Sequence, residues 1–234
     1  MKTKLIAVAV LLASGLTGAL ASTVTMSGAH FDISFDSATV GLFGTPTLTG
    51  DVLAWHPGGA PGFTAQTTGV AGGIFTTNST FALMVTAKSG FSLSSFGLAE
   101  AGDYAYFSSP SAGSFAGVSV NGQLGVSVPP SLTPTVSAIA ASTLFVGNTF
   151  LDFTTKNWSA TAAAIAVPTA TTVANVSVQN ILRAYGSDLF SSAYIEKKDV
   201  FLTVGVTSVP EPETYAMMLA GLGAIGFLAA RRRV

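Results

Sequence analysis

The stretch Val200-Phe201-Leu202-Thr203-Val204-Gly205-Val206 places an apolar branched residue at every second position. Successive side chains of a β-strand point to opposite faces, so these valines and the leucine would share one face. The stretch from Phe81 to Ala87 alternates large and small residues in a similar way. Both stretches are therefore predicted to be strands with one face on a hydrophobic core.

The sequence around these two stretches also favours strands. Residues 22–208 are rich in Val, Phe, Thr, Ser and Gly, and strong helix formers are scarce. Short strands separated by Gly, Pro and Ser turns predict an all-β fold for 22–208, an antiparallel β-sandwich of jelly-roll type. Further strands are predicted at His30 to Phe35, Asp51 to Trp55, Tyr104 to Phe107, Thr143 to Thr154 and Val176 to Ala184, where Asn180 shares a face with valines.

One hairpin is predicted with its register. The segment Ser114 to Val128 contains Asn121-Gly122, a dipeptide typical of tight turns. A two-residue turn there would mix apolar and polar residues on each face. A three-residue loop, Val120 to Gly122, places Val118 opposite Leu124 and keeps the apolar residues on one side. We therefore predict a hairpin with a three-residue loop.

Charge and cysteine content exclude several classes of protein. Residues 22–208 contain five basic and nine acidic side chains, a formal net charge of −4 with His neutral. The sequence has no basic stripe, which argues against a nucleic-acid partner. The chain has no Cys, so disulfides and thiolate metal sites are excluded. A neutral surface rich in hydroxyl groups is typical of an extracellular protein.

The N-terminus has the pattern of an export signal. Two lysines precede an apolar run from Leu5 to Leu16. Ala19 and Ala21 are small residues at the two positions that signal peptidase reads. We predict a signal peptide over 1–21, cleaved by signal peptidase before Ser22.

The C-terminus combines an acidic motif, an apolar run and a basic cluster. Residues 214–230 contain no charge, and a helix of this length spans roughly 25 Å at about 1.5 Å per residue. We predict a transmembrane helix over 214–230, with the basic cluster held in the cytoplasm. A C-terminal core helix of a soluble domain is the alternative. The motif is Pro210, Glu211 and Pro212, and the basic cluster is Arg231, Arg232 and Arg233.

These three parts, in this order, resemble the PEP-CTERM sorting domain, and the resemblance covers residues 209–234. It implies a Gram-negative bacterium that makes exopolysaccharide. It also implies that an exosortase, a membrane protease and transpeptidase, processes the tail near the Pro-Glu-Pro motif. The expected route is export, transient anchoring in the inner membrane with the ectodomain in the periplasm, and then the cell surface or the extracellular space. The resemblance leaves the role of residues 22–208 open.

Two tryptophans are candidates for sugar contact. Trp55 adjoins a Gly/Pro-rich loop, and Trp158 follows Lys156-Asn157. A flat indole face on the surface can stack on a sugar ring, whereas a core tryptophan packs against its neighbours and bonds its N–H. The sequence leaves both readings open.

Other chemistry is sparse. His30 and His56 have no partners at metal-ligand spacing, so we predict no metal site and no cofactor. Asp32 and Asp36 would share a strand face, either as part of a calcium site or as solvated carboxylates. The sequence contains no recognisable catalytic motif, and we predict no catalytic residue and no enzyme activity.

Three functions remain from different classes. The first is a structural protein of the surface or of a biofilm matrix, in association with exopolysaccharide. The second is a carbohydrate-binding module, and the third is a secreted hydrolase with two positioned carboxylates. The lack of a catalytic motif leads us to prefer the first.

Overall fold

A computed structural model describes residues 22–58, 62–67, 72–111, 113–140, 145–147, 154–209 and 212–231. Two short 3-10 turns, Ser37–Thr39 and Gly41–Phe43, follow the second strand. The strands are β1 Thr23–Ser27, β2 Phe31–Asp36, β3 Thr47–Thr49, β4 Val52–Trp55, β5 Phe63–Gln66, β6 Gly73–Ala87, β7 Phe91–Phe107, β8 Ala116–Ser127, β9 Thr135–Ala140, β10 Phe145–Gly147, β11 Lys156–Thr171, β12 Val173–Gly186 and β13 Ser192–Ser208; helix α1 is Pro212–Arg231.

The strands form one antiparallel sheet in two layers. The first layer runs β1-β2-β6-β12-β8, and the second runs β11-β7-β13-β4-β3. Strand β9 joins them, because its first residues pair with β8 and its last two pair with β11. Strands β10 and β5 add to β8 and β13 respectively. The predicted all-β antiparallel fold is confirmed.

The prediction of a jelly-roll sandwich needs correction, because the sheet curls into a nearly closed cylinder. On the side opposite β9, the Ala29 amide donates to the Gly50 carbonyl at 3.4 Å. Nearby, Nδ1 of His30 lies 2.6 Å from Oδ2 of Asp51. These contacts join the β1-β2 edge of one layer to the β3-β4 edge of the other. Two free sheets would expose four edges, whereas this arrangement pairs or covers most of them.

The core lies between the layers. On β12, every even-numbered side chain from Ala174 to Gly186 is buried, as the alternation of Val176, Val178 and Leu182 predicted. An aromatic group formed by Phe43, Trp55, Phe63 and Phe81 fills one region, with ring centroids of Trp55 and Phe81 5.1 Å apart. Each fully buried side chain of this size contributes on the order of 2 to 3 kcal/mol of hydrophobic free energy.

The predicted hairpin at Asn121-Gly122 is wrong. Strand β8 runs straight through these residues and pairs with β12 along its whole length, with Gly122 opposite Asn180. A Cβ at Gly122 would lie 2.2 Å from the Gln179 carbonyl oxygen, so the glycine permits close approach of two strands. A Gly serving this purpose has the same local sequence signature as a turn.

The C-terminal helix is confirmed, and α1 extends slightly beyond the predicted residues 214–230. Its side chains from Ala216 to Leu228 are exposed. Within the described part of the chain, no helix combines the length and the apolar character needed to cross a membrane, so the transmembrane prediction is not confirmed. The predicted site residues Ala19, Ala21, Pro210, Glu211, Arg232 and Arg233 lie outside the described residues, whereas Ser22, Pro212 and Arg231 lie within them.

Candidate functional site

Three polar residues occupy core positions that apolar residues would normally fill. Lys197 follows Ala193 and Ile195 on the inward face of β13, and Glu100 follows Phe96 and Leu98 on the inward face of β7. Asn180 lies among the buried valines of β12, in the opposite layer. Their exposed fractions are 0% for Lys197, 2% for Glu100 and 0% for Asn180. Residues of these types are rarely buried so completely unless they are paired.

The three side chains form a closed triangle of hydrogen bonds. Nζ of Lys197 donates to Oε2 of Glu100 and, at 2.9 Å, to Oδ1 of Asn180. Nδ2 of Asn180 donates at 2.7 Å to Oε1 of Glu100. The carboxyl group therefore contacts the lysine nitrogen with one oxygen and the amide nitrogen with the other. These bonds link β13 and β7 of one layer to β12 of the other.

Aromatic rings enclose the lysine nitrogen. Nζ of Lys197 lies 5.0 Å from the centre of the Trp158 ring and 5.8 Å from that of Phe63. Trp158 is held in place by its Nε1, which donates at 3.0 Å to the Glu196 carbonyl. A Cβ on Gly102, opposite Lys197, would collide with the Trp158 ring at 2.7 Å. The glycine thus lets the indole lie over the cluster.

Burial changes the acid–base chemistry of the lysine. Desolvation lowers the pKa of Lys197, because a charged ammonium is poorly solvated in the core, and the Glu100 carboxylate opposes this effect. Lys198, the next residue, behaves differently. It is half exposed and bonds to Asp103, and that hydrogen bond raises the pKa of Lys198. The pKa values of these two adjacent lysines are therefore shifted in opposite directions, because the two side chains lie on opposite sides of the strand.

Both tryptophans lie in the core, which is one of the two readings that the sequence left open. Trp55 is 0% exposed and Trp158 is 4% exposed. Trp55 packs edge-on against Phe43 and Phe81, and Trp158 covers the lysine cluster. Neither ring offers a face to solvent on which a sugar could stack.

The histidines and the two early aspartates have local partners. Nδ1 of His56 lies 2.7 Å from Oδ1 of Asp199 on the surface. Asp32 and Asp36 share the outer face of β2, as predicted, but Asp32 accepts a bond from a serine and Asp36 caps the following 3-10 turn. Among the residues that the structure describes, no three His, Cys, Asp or Glu side chains are grouped to hold a metal.

The tail matches a known family. The PEP-CTERM protein-sorting motif is found at residues 208–233, which confirms the resemblance seen in the sequence. The motif implies an exported protein, membrane-anchored transit before processing, and an exosortase as the processing partner. A search of curated proteins finds no match to this chain.

Sequence reasoning did not find the buried cluster. It placed Asn180 on the apolar face of its strand, and that was the available signal. Lys197 and Glu100 stand at core positions of their strands, but a β-bulge between Lys197 and Asp199 shifts the alternation, so Lys197 and Val200 share a face. Reading the alternation back from Val200 without the bulge would point Lys197 towards solvent.

Proposed function

We propose that this protein is a structural component of the cell surface or of an exopolysaccharide matrix, delivered there by exosortase sorting. It acts by display and association, without turning over an external substrate and without a cofactor. The observation that carries the proposal is the sorting motif at residues 208–233. Exported proteins with this tail are processed near the Pro-Glu-Pro motif, which leaves the β-sheet domain as the working part.

The junction between domain and motif supports this division. Strand β13 ends at Ser208, and the Val209 amide donates at 2.8 Å to the Gly90 carbonyl. The chain is thus fixed to the domain up to the residue before the motif. Cleavage at or beyond the motif would leave every residue of β13 in place.

The burial of both tryptophans favours the structural role over the carbohydrate-binding module. That alternative depended on Trp55 or Trp158 as a stacking platform, and both rings lie in the core. The hydrolase alternative would need two carboxyl groups lining an open cleft. Glu100 is instead buried against Lys197 and Asn180.

Sorting is tested by mass spectrometry of the protein exported by its host. We expect the mature chain to begin at Ser22 and to lack most residues after the motif. A Glu211→Ala variant should remain unprocessed, whereas Glu213→Ala, a change of the same charge just outside Pro-Glu-Pro, should be processed normally. Exported wild-type protein that still ends in Arg231-Arg232-Arg233-Val234 would contradict the proposal.

The matrix role is tested by fractionating cultures of a deletion strain that carries the wild-type gene or an empty vector. We expect the protein in the exopolysaccharide fraction and a weaker matrix in its absence. Release of the protein by one specific soluble glycan would favour the carbohydrate-binding module. Breakdown of purified exopolysaccharide by the protein would favour the hydrolase.

A further inference from the structure

The triangle formed by Lys197, Glu100 and Asn180 has the parts of an amide-forming reaction. It contains an amine, a primary amide and a carboxyl group that touches both of their nitrogens. We propose that Lys197 and Asn180 join in an intramolecular isopeptide bond, with Glu100 as the proton-transferring catalytic residue. The bond would tie β13 to β12 across the core.

The reaction balances without a co-reactant. Nζ of Lys197 attacks Cγ of Asn180, and a bond between these two atoms forms. The bond from Cγ to Nδ2 breaks, and Nδ2 leaves as ammonia. One proton passes from Nζ to Nδ2 through the carboxyl group of Glu100, whose Oε2 faces the attacking nitrogen and whose Oε1 faces the leaving one.

The attacking atom and the amide are already positioned. Nζ of Lys197 lies 2.9 Å from Oδ1 of Asn180. The carbon to be attacked, Cγ, is bonded directly to that oxygen. Holding two reacting groups in this way replaces an encounter in solution by a unimolecular step. The two groups come from opposite layers, so it is the packing of the layers that brings them together.

The surroundings favour the reactive form of the lysine. An ammonium cannot attack, whereas a neutral amine can. Burial lowers the pKa of Lys197 because desolvation penalises the charge. Proton transfer to Glu100 gives a neutral amine beside a neutral acid, and Trp158 and Phe63 keep the site apolar.

The product also removes a cost that the ion pair carries. A buried pair of charges gains little net stability, since desolvation offsets most of the attraction. The isopeptide is neutral and leaves Glu100 to bond its N–H. The chain has no Cys, so this bond would be a covalent constraint in an exported domain that cannot form disulfides. The inference stands on the cluster alone and holds whichever function the domain has.

The test is the mass of the protein purified from its host, with both termini read from the same digest. We expect a mass about 17 Da below that of the sequence, the loss of one ammonia per chain. Trypsin should yield peptide 157–183 joined to peptide 184–198, because acylated Lys197 is no longer a cleavage site. Fragmentation should place the branch between Asn180 and Lys197.

Variants identify the participants. Lys197→Met, Asn180→Leu and Glu100→Gln should each have the full sequence mass. Lys198→Met is the matched control, because this neighbouring lysine points outwards to Asp103, and it should still lose one ammonia. A variant that fails to fold can still be analysed, because peptide masses do not require folded protein. The mass of the wild-type protein tests the proposal independently of the variants.

Two results would overturn the proposal. The first is folded wild-type protein with its full mass and free Lys197. The second is a loss of ammonia that persists in Lys197→Met, because ring closure of Asn180 onto the following backbone nitrogen releases ammonia without any lysine. Failure of either kind leaves the sorting proposal untouched, since that depends on the chain termini.

Discussion

Replacing Glu100 by Gln should make the stability of this protein depend on pH in a way that the wild type does not. The variant cannot relay a proton, so Lys197 stays a free amine in the core without the carboxylate it contacts. Desolvation already lowers the pKa of Lys197 against the opposing effect of Glu100, and the substitution removes that opposition. The free energy of unfolding should therefore be reduced at neutral pH and recover as the pH rises.

The sign and size follow from proton linkage. A lysine in the unfolded chain has a pKa near 10.4, so between the lowered folded pKa and this value the unfolded state binds one more proton. Stability then rises with pH by about 1.4 kcal/mol per pH unit. The cost of keeping Lys197 neutral falls as the pH approaches the pKa of the unfolded lysine, so it is smaller at pH 9 than at pH 7. At pH 7 we expect a loss of roughly 3 to 5 kcal/mol, the range typical of removing one partner of a buried ion pair.

The assay is urea unfolding followed by tryptophan fluorescence, which reports on the buried Trp55 and Trp158. Measurements are made between about pH 7 and pH 9, below the pKa of about 10 of a free tyrosine side chain. Burial raises the pKa of Tyr104 above that ordinary value. The control is the double variant Glu100→Gln with Lys197→Met, which has nearly the same volume and no amine. Subtracting its slope isolates Lys197. Equal slopes in the single and double variants would refute the reasoning.

Three further outcomes are expected. Gly122→Ala should lower the free energy of unfolding by about 1 to 3 kcal/mol, because its Cβ would lie 2.2 Å from a backbone oxygen. The control is Gly97→Ala, whose Cβ would have nothing within 4 Å and should change the free energy of unfolding little. Urea unfolding compares the two variants. Trp55→Ala should lower the free energy of unfolding by about 3 to 5 kcal/mol in the same assay, since the ring is fully buried. A loss no larger than that of a surface substitution would contradict its core position. The hydrogen bond from Ser114 lowers the pKa of Asp188. The Asp188 carboxylate therefore stabilises the fold above its ordinary pKa, and this contribution is lost as the pH falls. In acid unfolding, Ser114→Ala should lose less stability below about pH 4 than the wild type does.

Much of the fold could be read from the sequence. The strands predicted around Phe81, Val176 and Val200 are present as parts of β6, β12 and β13. The signal is strong there because one face of each strand is buried, which forces alternation at a period of two. The sorting tail could also be predicted from the sequence, since its motif consists of contiguous residues.

Local sequence failed where long-range packing set the outcome. Asn121-Gly122 has the composition of a turn, yet β8 continues through it because β12 pairs along its whole length. The closing of the sheet depends on where β9 crosses between the layers and on the contact of Ala29 with Gly50, neither of which leaves a local pattern. The tryptophans lay beside loops in the sequence, but their burial depends on the strands that pack over them.

The sequence by itself determined that the chain is a disulfide-free β-protein with an exosortase-sorting tail, because composition, alternation and a contiguous motif are local properties. Only the tertiary structure brought together Glu100, Asn180 and Lys197, which lie on three strands and in two layers. Asn180 shows only its place on an apolar face, Glu100 and Lys197 look like ordinary polar residues in their own segments, and the bulge beside Lys197 hides its inward direction. Their shared burial and their contacts arise when the layers close on one another, and the chemistry proposed for them depends on that closure.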